Sequence, residues 1–206
     1  YSRTPGNGGI IEKYNWDGAL TWSYKISDSL QCQHHDIKPL PNGNILAVVC
    51  EFKTREQAIT AGRLPERTDV QVISEKIVEI KPEGKSGRIV WEWKVWDHLV
   101  QEQDPTKPNY ARVADHPELI HLNFINPASG DEVDWLHVNS VAYNAELDQI
   151  VVSSYNFNEI WVIDHSTSTA EAATHTGGKS GKGGDILYRW GNPMTYNRGT
   201  YDDQKL

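Results

Sequence analysis

Apolar and aromatic positions alternate with polar ones over short stretches along most of this chain. The clearest case occurs three times. Gly18-Ala-Leu-Thr-Trp22-Ser-Tyr24, Gly87-Arg-Ile-Val-Trp91-Glu-Trp93 and Gly184-Asp-Ile-Leu-Tyr188-Arg-Trp190 share one pattern: Gly, any, aliphatic, any, aromatic, any, aromatic. Period-two alternation predicts a strand with one buried face. A second strand-like segment lies upstream of each copy, in residues 9–14, 76–80 and 159–164. Turn-forming residues join each pair, at 15–17, 81–86 and 166–183, so each pair reads as a hairpin. Two of these hairpins are preceded by another. Residues 35–40 turn through Pro41-Asn42-Gly43-Asn44 into 45–52, and residues 137–143 turn through 144–148 into 149–155.

Four antiparallel strands per repeat, in chain order and without crossover helices, predict an all-β β-propeller of four-stranded blades. The expected layout is a blade end at 9–26, a blade at 34–96 with an insert at 53–74, an insert at 97–134, a blade at 135–191 and a stub at 192–206. A short helix is expected from Pro117 through Ile120. About two and a half blades cannot close a ring, so this is an incomplete part of one. The chain starts at Tyr1 and reads as a fragment or processed product. A compact β-sandwich is the competing architecture.

Composition narrows the picture. The 206 residues include 8 Trp and 9 Tyr, large rings that supply core area where aliphatic residues are few. The net charge of −8, with no long basic run, argues against a nucleic-acid partner. No segment has the length of a membrane span. A two-residue turn at Asn42-Gly43 would put residue 35 opposite 50 and residue 32 opposite 53, leaving Cys32 and Cys50 out of register; their pairing is left open.

The first strand of a propeller blade lines the central channel. His35 and His137 begin two such strands at equivalent repeat positions, so both are expected to face one funnel, with Asn139 two residues on and on the same side as His137. Repeated histidines suit acid–base work or anion binding, or else bond structurally to the backbone. His34 and His35 are adjacent on a strand and point apart, and no zinc-type spacing is present, so neither a metal nor another cofactor is expected. Asp131, Glu132 and Asp134 are the carboxylates a calcium site would use. The glycine-rich run 177–184 lacks Walker spacing and reads as a hairpin loop. His98, His116, His121, His165 and His175 fall in inserts or loops and are expected at the surface.

Several segments together resemble the bacterial arylsulfate sulfotransferases. They are His35-Asp36 with Pro41-Asn42-Gly43-Asn44, Trp91-Glu92-Trp93 with Trp96-Asp97-His98, Asp134-Trp135-Leu136-His137-Val138-Asn139-Ser140, Ile150-Val151-Val152-Ser153-Ser154, and Arg189-Trp190-Gly191-Asn192-Pro193. The resemblance implies a six-bladed, periplasmic or extracellular propeller. It implies sulfuryl transfer from an aryl sulfate to a phenol, without a nucleotide donor, through a sulfohistidine. By motif, His137 and Asn139 match one pair of sulfuryl-binding residues and His35 matches a further histidine, with His34 as the fallback. Two departures stand out. The segment that would carry the nucleophile is expected downstream of Leu206, and Tyr155 stands where the family usually has arginine. A non-catalytic propeller that binds a ligand or joins an assembly is the rival reading, another hydrolytic activity on the scaffold is a third, and homo-oligomerisation is left open.

Overall fold

The computed structural model describes residues 8–127 and 130–205. Tyr1, residues 128 and 129 of the 97–134 insert, and Leu206 at the end of the expected stub lie outside them. Strands β1 (Ile10–Tyr14) and β2 (Leu20–Lys25) form a hairpin. Strands β3 (Gln31–Pro39), β4 (Ile45–Thr54), β5 (Gln71–Glu83) and β6 (Ser86–Lys94) form a four-stranded antiparallel sheet in chain order. A parallel pair follows, β7 (Leu99–Val100) with β8 (Ile120–His121). Strands β9 (Val138–Asn144), β10 (Gln149–Ser154), β11 (Glu159–Asp164) and β12 (Ile186–Trp190) repeat the four-stranded order. Helices α1 (Arg55–Ala61) and α2 (Thr169–Ala172) are short.

The core explains why the sheets stack like consecutive blades. β4 is a nearly continuous β-branched and apolar run, as a strand buried on both faces should be. Leu46 and Val48 enter a core shared with Val141, Val152, Trp161 and Ile163 of the following sheet. Ala47 and Val49 point the other way, into a second core with Ile11 and Trp22 of the first hairpin. One sheet is therefore packed on both sides, and each fully buried aliphatic side chain contributes about 1.5–3 kcal/mol. The inner strands β3 and β9 lie side by side. This is an all-β, open part of a β-propeller.

The threefold repeat is reproduced down to its irregularities. Trp22 pairs with Lys13, Trp91 with Glu79 and Tyr188 with Val162. In each case the ladder slips at the next step, leaving Thr21, Val90 or Leu187 as an extra residue just before the aromatic. Such a bulge bends the outer strand and sharpens its twist. The two indoles are also used alike. Trp22 donates Nε1–H to Ser86 O of the next sheet, and Trp91 donates Nε1–H to Thr167 Oγ1 of the next one, at 3.2 Å.

Several expectations are corrected. Residues 117–119 form a turn leading into β8, not a helix, because residues 120 and 121 pair with β7 and Ile186 N–H donates to Glu118 O at 3.0 Å. Much of the expected 53–74 insert is strand and helix. β4 runs on to Thr54, whose side chain caps α1 in a box with Gln57, and β5 begins at Gln71. Cys32 and Cys50 lie directly opposite one another, because Pro39 pairs with Ile45, one residue off the register of a two-residue turn, and three residues of β3, His34 to Asp36, then oppose the single residue Val48. His98 and His121 are buried, and His165 is largely so, since the inserts fold back over them.

Candidate active site

The irregular step in β3 is where chemistry collects. Fitting three residues against one requires a backbone reversal, and His35 supplies it with φ of 50°. His137, at the same repeat position one blade on, also has φ of 50°. A left-handed histidine is uncommon, and such strain costs of order 1–3 kcal/mol and tends to sit at functional sites. Its effect here is convergence. The His35 and His137 rings meet edge-on with centroids 4.8 Å apart, although 102 residues separate them in sequence. The Tyr155 ring is 5.5 Å from that of His137, and 61% of Tyr155 is exposed. Tyr155 is held there by its N–H, which donates to His137 O at 3.0 Å.

Carboxylates stand behind the rings. Asp134 Oδ2 accepts from His137 Nδ1 at 2.5 Å. This bond, opposed by partial burial, raises the pKa of His137. Glu75 is buried on β5 and meets His34 Nε2 at 2.8 Å, while Val138 N–H donates to its other oxygen at 3.3 Å. Burial raises the Glu75 carboxyl against the pull of His34. Asp36 Oδ2 accepts from Val141 N–H at 2.9 Å and so ties β3 to β9.

The sequence-derived candidates therefore fall into three groups. His35, His137 and Tyr155 come together at an accessible cluster. His34 is 2% exposed and faces Glu75, behind that cluster. Asn139 is half-buried at a slip in the β9–β10 ladder, where Ser153 pairs with Ser140 and Ser154 with Val138; simple alternation from His137 does not carry across that step. Sequence reasoning passed over Asp134 and Glu75 as supports. Asp134 was detectable as an Asp three residues before His137, and Glu75 as an acid inside an apolar strand. Of the calcium candidates, Asp131 Oδ1 is occupied by the N–H groups of Val133 and Asp134, and Asp134 by His137.

A family model described as arylsulfotransferase (ASST) matches residues 4–171. The chain belongs to the arylsulfotransferase family. None of the curated proteins matches it. The family match takes in His34, His35, Asp36, Glu75, Asp134, His137, Asn139 and Tyr155, all the residues of this cluster and its supports. The cluster offers hydrogen-bond donors. A sulfuryl group presents three oxygens whose charge changes as sulfur passes between nucleophile and leaving group. Imidazole N–H groups and a phenolic O–H are suitable partners for those oxygens. His137 commits Nδ1 to Asp134, which leaves Nε2 as the ring nitrogen that could donate to an anion.

Proposed function

We propose that this chain carries part of the sulfuryl-binding site of an arylsulfate sulfotransferase that moves a sulfuryl group from an aryl sulfate to a phenol. His35 and His137 donate to the sulfuryl oxygens, Asn139 adds a third donor, and Tyr155 occupies the place of the family's usual arginine. A third histidine, expected downstream of Leu206, attacks sulfur. Its N–S bond forms as the S–O bond to the aryl group breaks, and a protonated imidazole gives its proton to the departing phenolate. The acceptor phenol then reverses these steps with its own oxygen. No cofactor is required in this reading, and the protein acts in the periplasm or outside the cell.

The observation that supports this reading best is the meeting of two left-handed histidines from equivalent repeat positions, one of them kept proton-rich by Asp134. Tyr155 favours a second reading, a propeller that binds an anionic ligand without turning it over, because a phenol donates one hydrogen bond and carries no charge.

The test is a chromogenic aryl sulfate with a phenol acceptor, assayed on the complete protein. Turnover is expected, with His137→Ala slower by about 100- to 1,000-fold, the usual effect of losing one such donor. Tyr155→Arg is expected to tighten sulfate binding or raise turnover. Acid-labile sulfohistidine should map away from His35 and His137. Label on either of these rings would overturn their assignment as donors. A complete protein inert towards several aryl sulfates, and indifferent to Tyr155→Arg, would leave the binding reading.

A further inference from the structure

A second group of histidines lies away from this cluster, where the glycine-rich loop folds back. His98 follows β6 and is fully buried, with its ring stacked on Trp93 at 5.7 Å. Its Nε2 is 2.8 Å from Ala172 O. A carbonyl only accepts, so Nε2 carries the hydrogen and the lone pair of the neutral ring sits on Nδ1. Nδ1 faces Asp185 Oδ1 at 3.0 Å. His175 Nδ1 reaches the same oxygen at 2.7 Å. Two imidazole nitrogens and a carboxylate oxygen thus lie within 4.8 Å of one another.

We propose that His98, His175 and Asp185 bind a zinc-type divalent cation that fastens the insert after β6 to the outer strand of the following sheet. The donor set, two imidazoles and a carboxylate, is one that zinc takes, with a fourth position left for water. The bond from His98 Nε2 to a backbone carbonyl is the outer-shell contact that fixes a metal-binding tautomer. Without a cation, the lone pair of a neutral His98 would confront a carboxylate oxygen. The side chains of His98 and Asp185 are 0% and 9% exposed, while that of His175 is 60% exposed and leaves an approach from solvent. Zinc bonds of about 2.0–2.2 Å set neighbouring ligand atoms about 3.3 Å apart, so the contacts to Asp185 Oδ1, now 3.0 and 2.7 Å, must open slightly while the two imidazole nitrogens, within 4.8 Å, adjust to the same spacing, a shift that the loop carrying His175 can supply.

The proposal also gives the glycine-rich loop a purpose. A Cβ on Gly184 would fall 2.1 Å from Ala172 O and 2.5 Å from His98 Nε2. Only glycine lets the chain pass that close and deliver Asp185 to the buried ring. Trp93 Nε1–H donates to Gly184 O at 2.7 Å and holds the approach in place. The spacing of residues 98, 175 and 185 matches no short sequence motif, so only the fold reveals the group.

The experiment uses the complete protein, stripped with EDTA, desalted and titrated with zinc chloride. The parent is expected to retain one additional zinc per chain relative to His175→Ala. Its thermal midpoint should rise by about 5–10 °C at a hundredfold excess of free zinc over Kd. His175 is exposed, so His175→Ala should match the metal-free parent in midpoint and lose the zinc-dependent rise. A parent midpoint indifferent to zinc would overturn the proposal and leave a plain buried ion pair. So would an equal zinc response and stoichiometry in His175→Ala.

Discussion

Replacing Asp134 with Asn tests the electrostatics of the proposed sulfuryl site with almost no change of shape. Asp134 and His137 are three residues apart, with side chains 12% and 15% exposed, and their bond is 2.5 Å long. A hydrogen bond between charged groups at this depth contributes about 1.5–3 kcal/mol. If His137 is needed protonated in the transition state, Asp134→Asn should slow turnover by about 10- to 100-fold. The sign of the pH effect is fixed by the cause of the shift. Asp134 raises the pKa of His137, so in the parent the imidazolium persists further into the alkaline range. Without the carboxylate, the alkaline limb of the pH–rate profile should move to lower pH. A raised folded pKa also means that the pair stabilises the protein fully below about pH 6.5 and less as pH rises through the folded value. The stability gap between parent and Asp134→Asn should therefore narrow with increasing pH. The assays are initial rates with an aryl sulfate across pH, and titration of the His137 ring by NMR. A variant with lower turnover but an unmoved alkaline limb and ring titration would refute the argument, because the loss would then be structural.

Two further outcomes concern stability. His165 bridges Glu79 of one sheet, at 3.0 Å, and Asp148 of the next, at 2.8 Å, with Tyr143 OH also on Asp148. Glu79 is pulled down to about 2, first by the His165 bond, and its contribution should fade as pH falls from 4.5 towards 2. His165 is raised by its two carboxylates against burial, and its contribution should fade as pH rises above 6.5. Denaturant midpoints measured across pH should show this bridge strongest between about 4.5 and 6.5, and His165→Gln should flatten the curve by an amount on the order of 2 kcal/mol. Trp161 is fully buried between Phe157 and the Arg189 guanidinium. Trp161→Phe, which leaves a cavity and removes one of the two donors to Glu159 Oε2, the other being Arg189, should cost about 2–4 kcal/mol in urea unfolding.

Much of the sheet architecture was legible because burial on one face imposes a period of two, and because the chain states its outer hairpin three times. The irregularities were less legible for a physical reason. The extra residue before Trp22, Trp91 and Tyr188 leaves the Gly-to-aromatic spacing identical in all three copies, so nothing in the pattern signals a slip. The same blindness misaligned the cysteines, since counting from a turn assumes that the ladder keeps step. The helix expected at Pro117 lost to pairing with β7, which local propensity cannot foresee. Helices α1 and α2 were not expected, although their capping boxes, Thr54 with Gln57 and Ser168 with Glu171, stand in the sequence. At the site, repeat position and motif together brought His35 and His137 forward. Glu75 needed the fold, because its partners come from β3 and β9.

What each histidine can do follows from which of its ring nitrogens is already committed. His165 has a carboxylate at both nitrogens, so it is stabilised as a cation and acts as a latch between sheets. His98 has Nε2 on a carbonyl and Nδ1 turned to Asp185, which suits a ligand and offers no proton to a substrate. His34 spends Nε2 on a buried glutamate beneath the cluster. His137 differs from all three. It lies at the accessible cluster, its Nδ1 is anchored by Asp134, and Nε2 is therefore the atom through which it would address the proposed anion. Its strained φ is shared only with His35 among the described histidines. Backbone strain and repeat position mark His35 and His137 alike, and the anchored nitrogen sets His137 apart, so on the proposed function a change at His137 should affect sulfuryl chemistry more than fold stability.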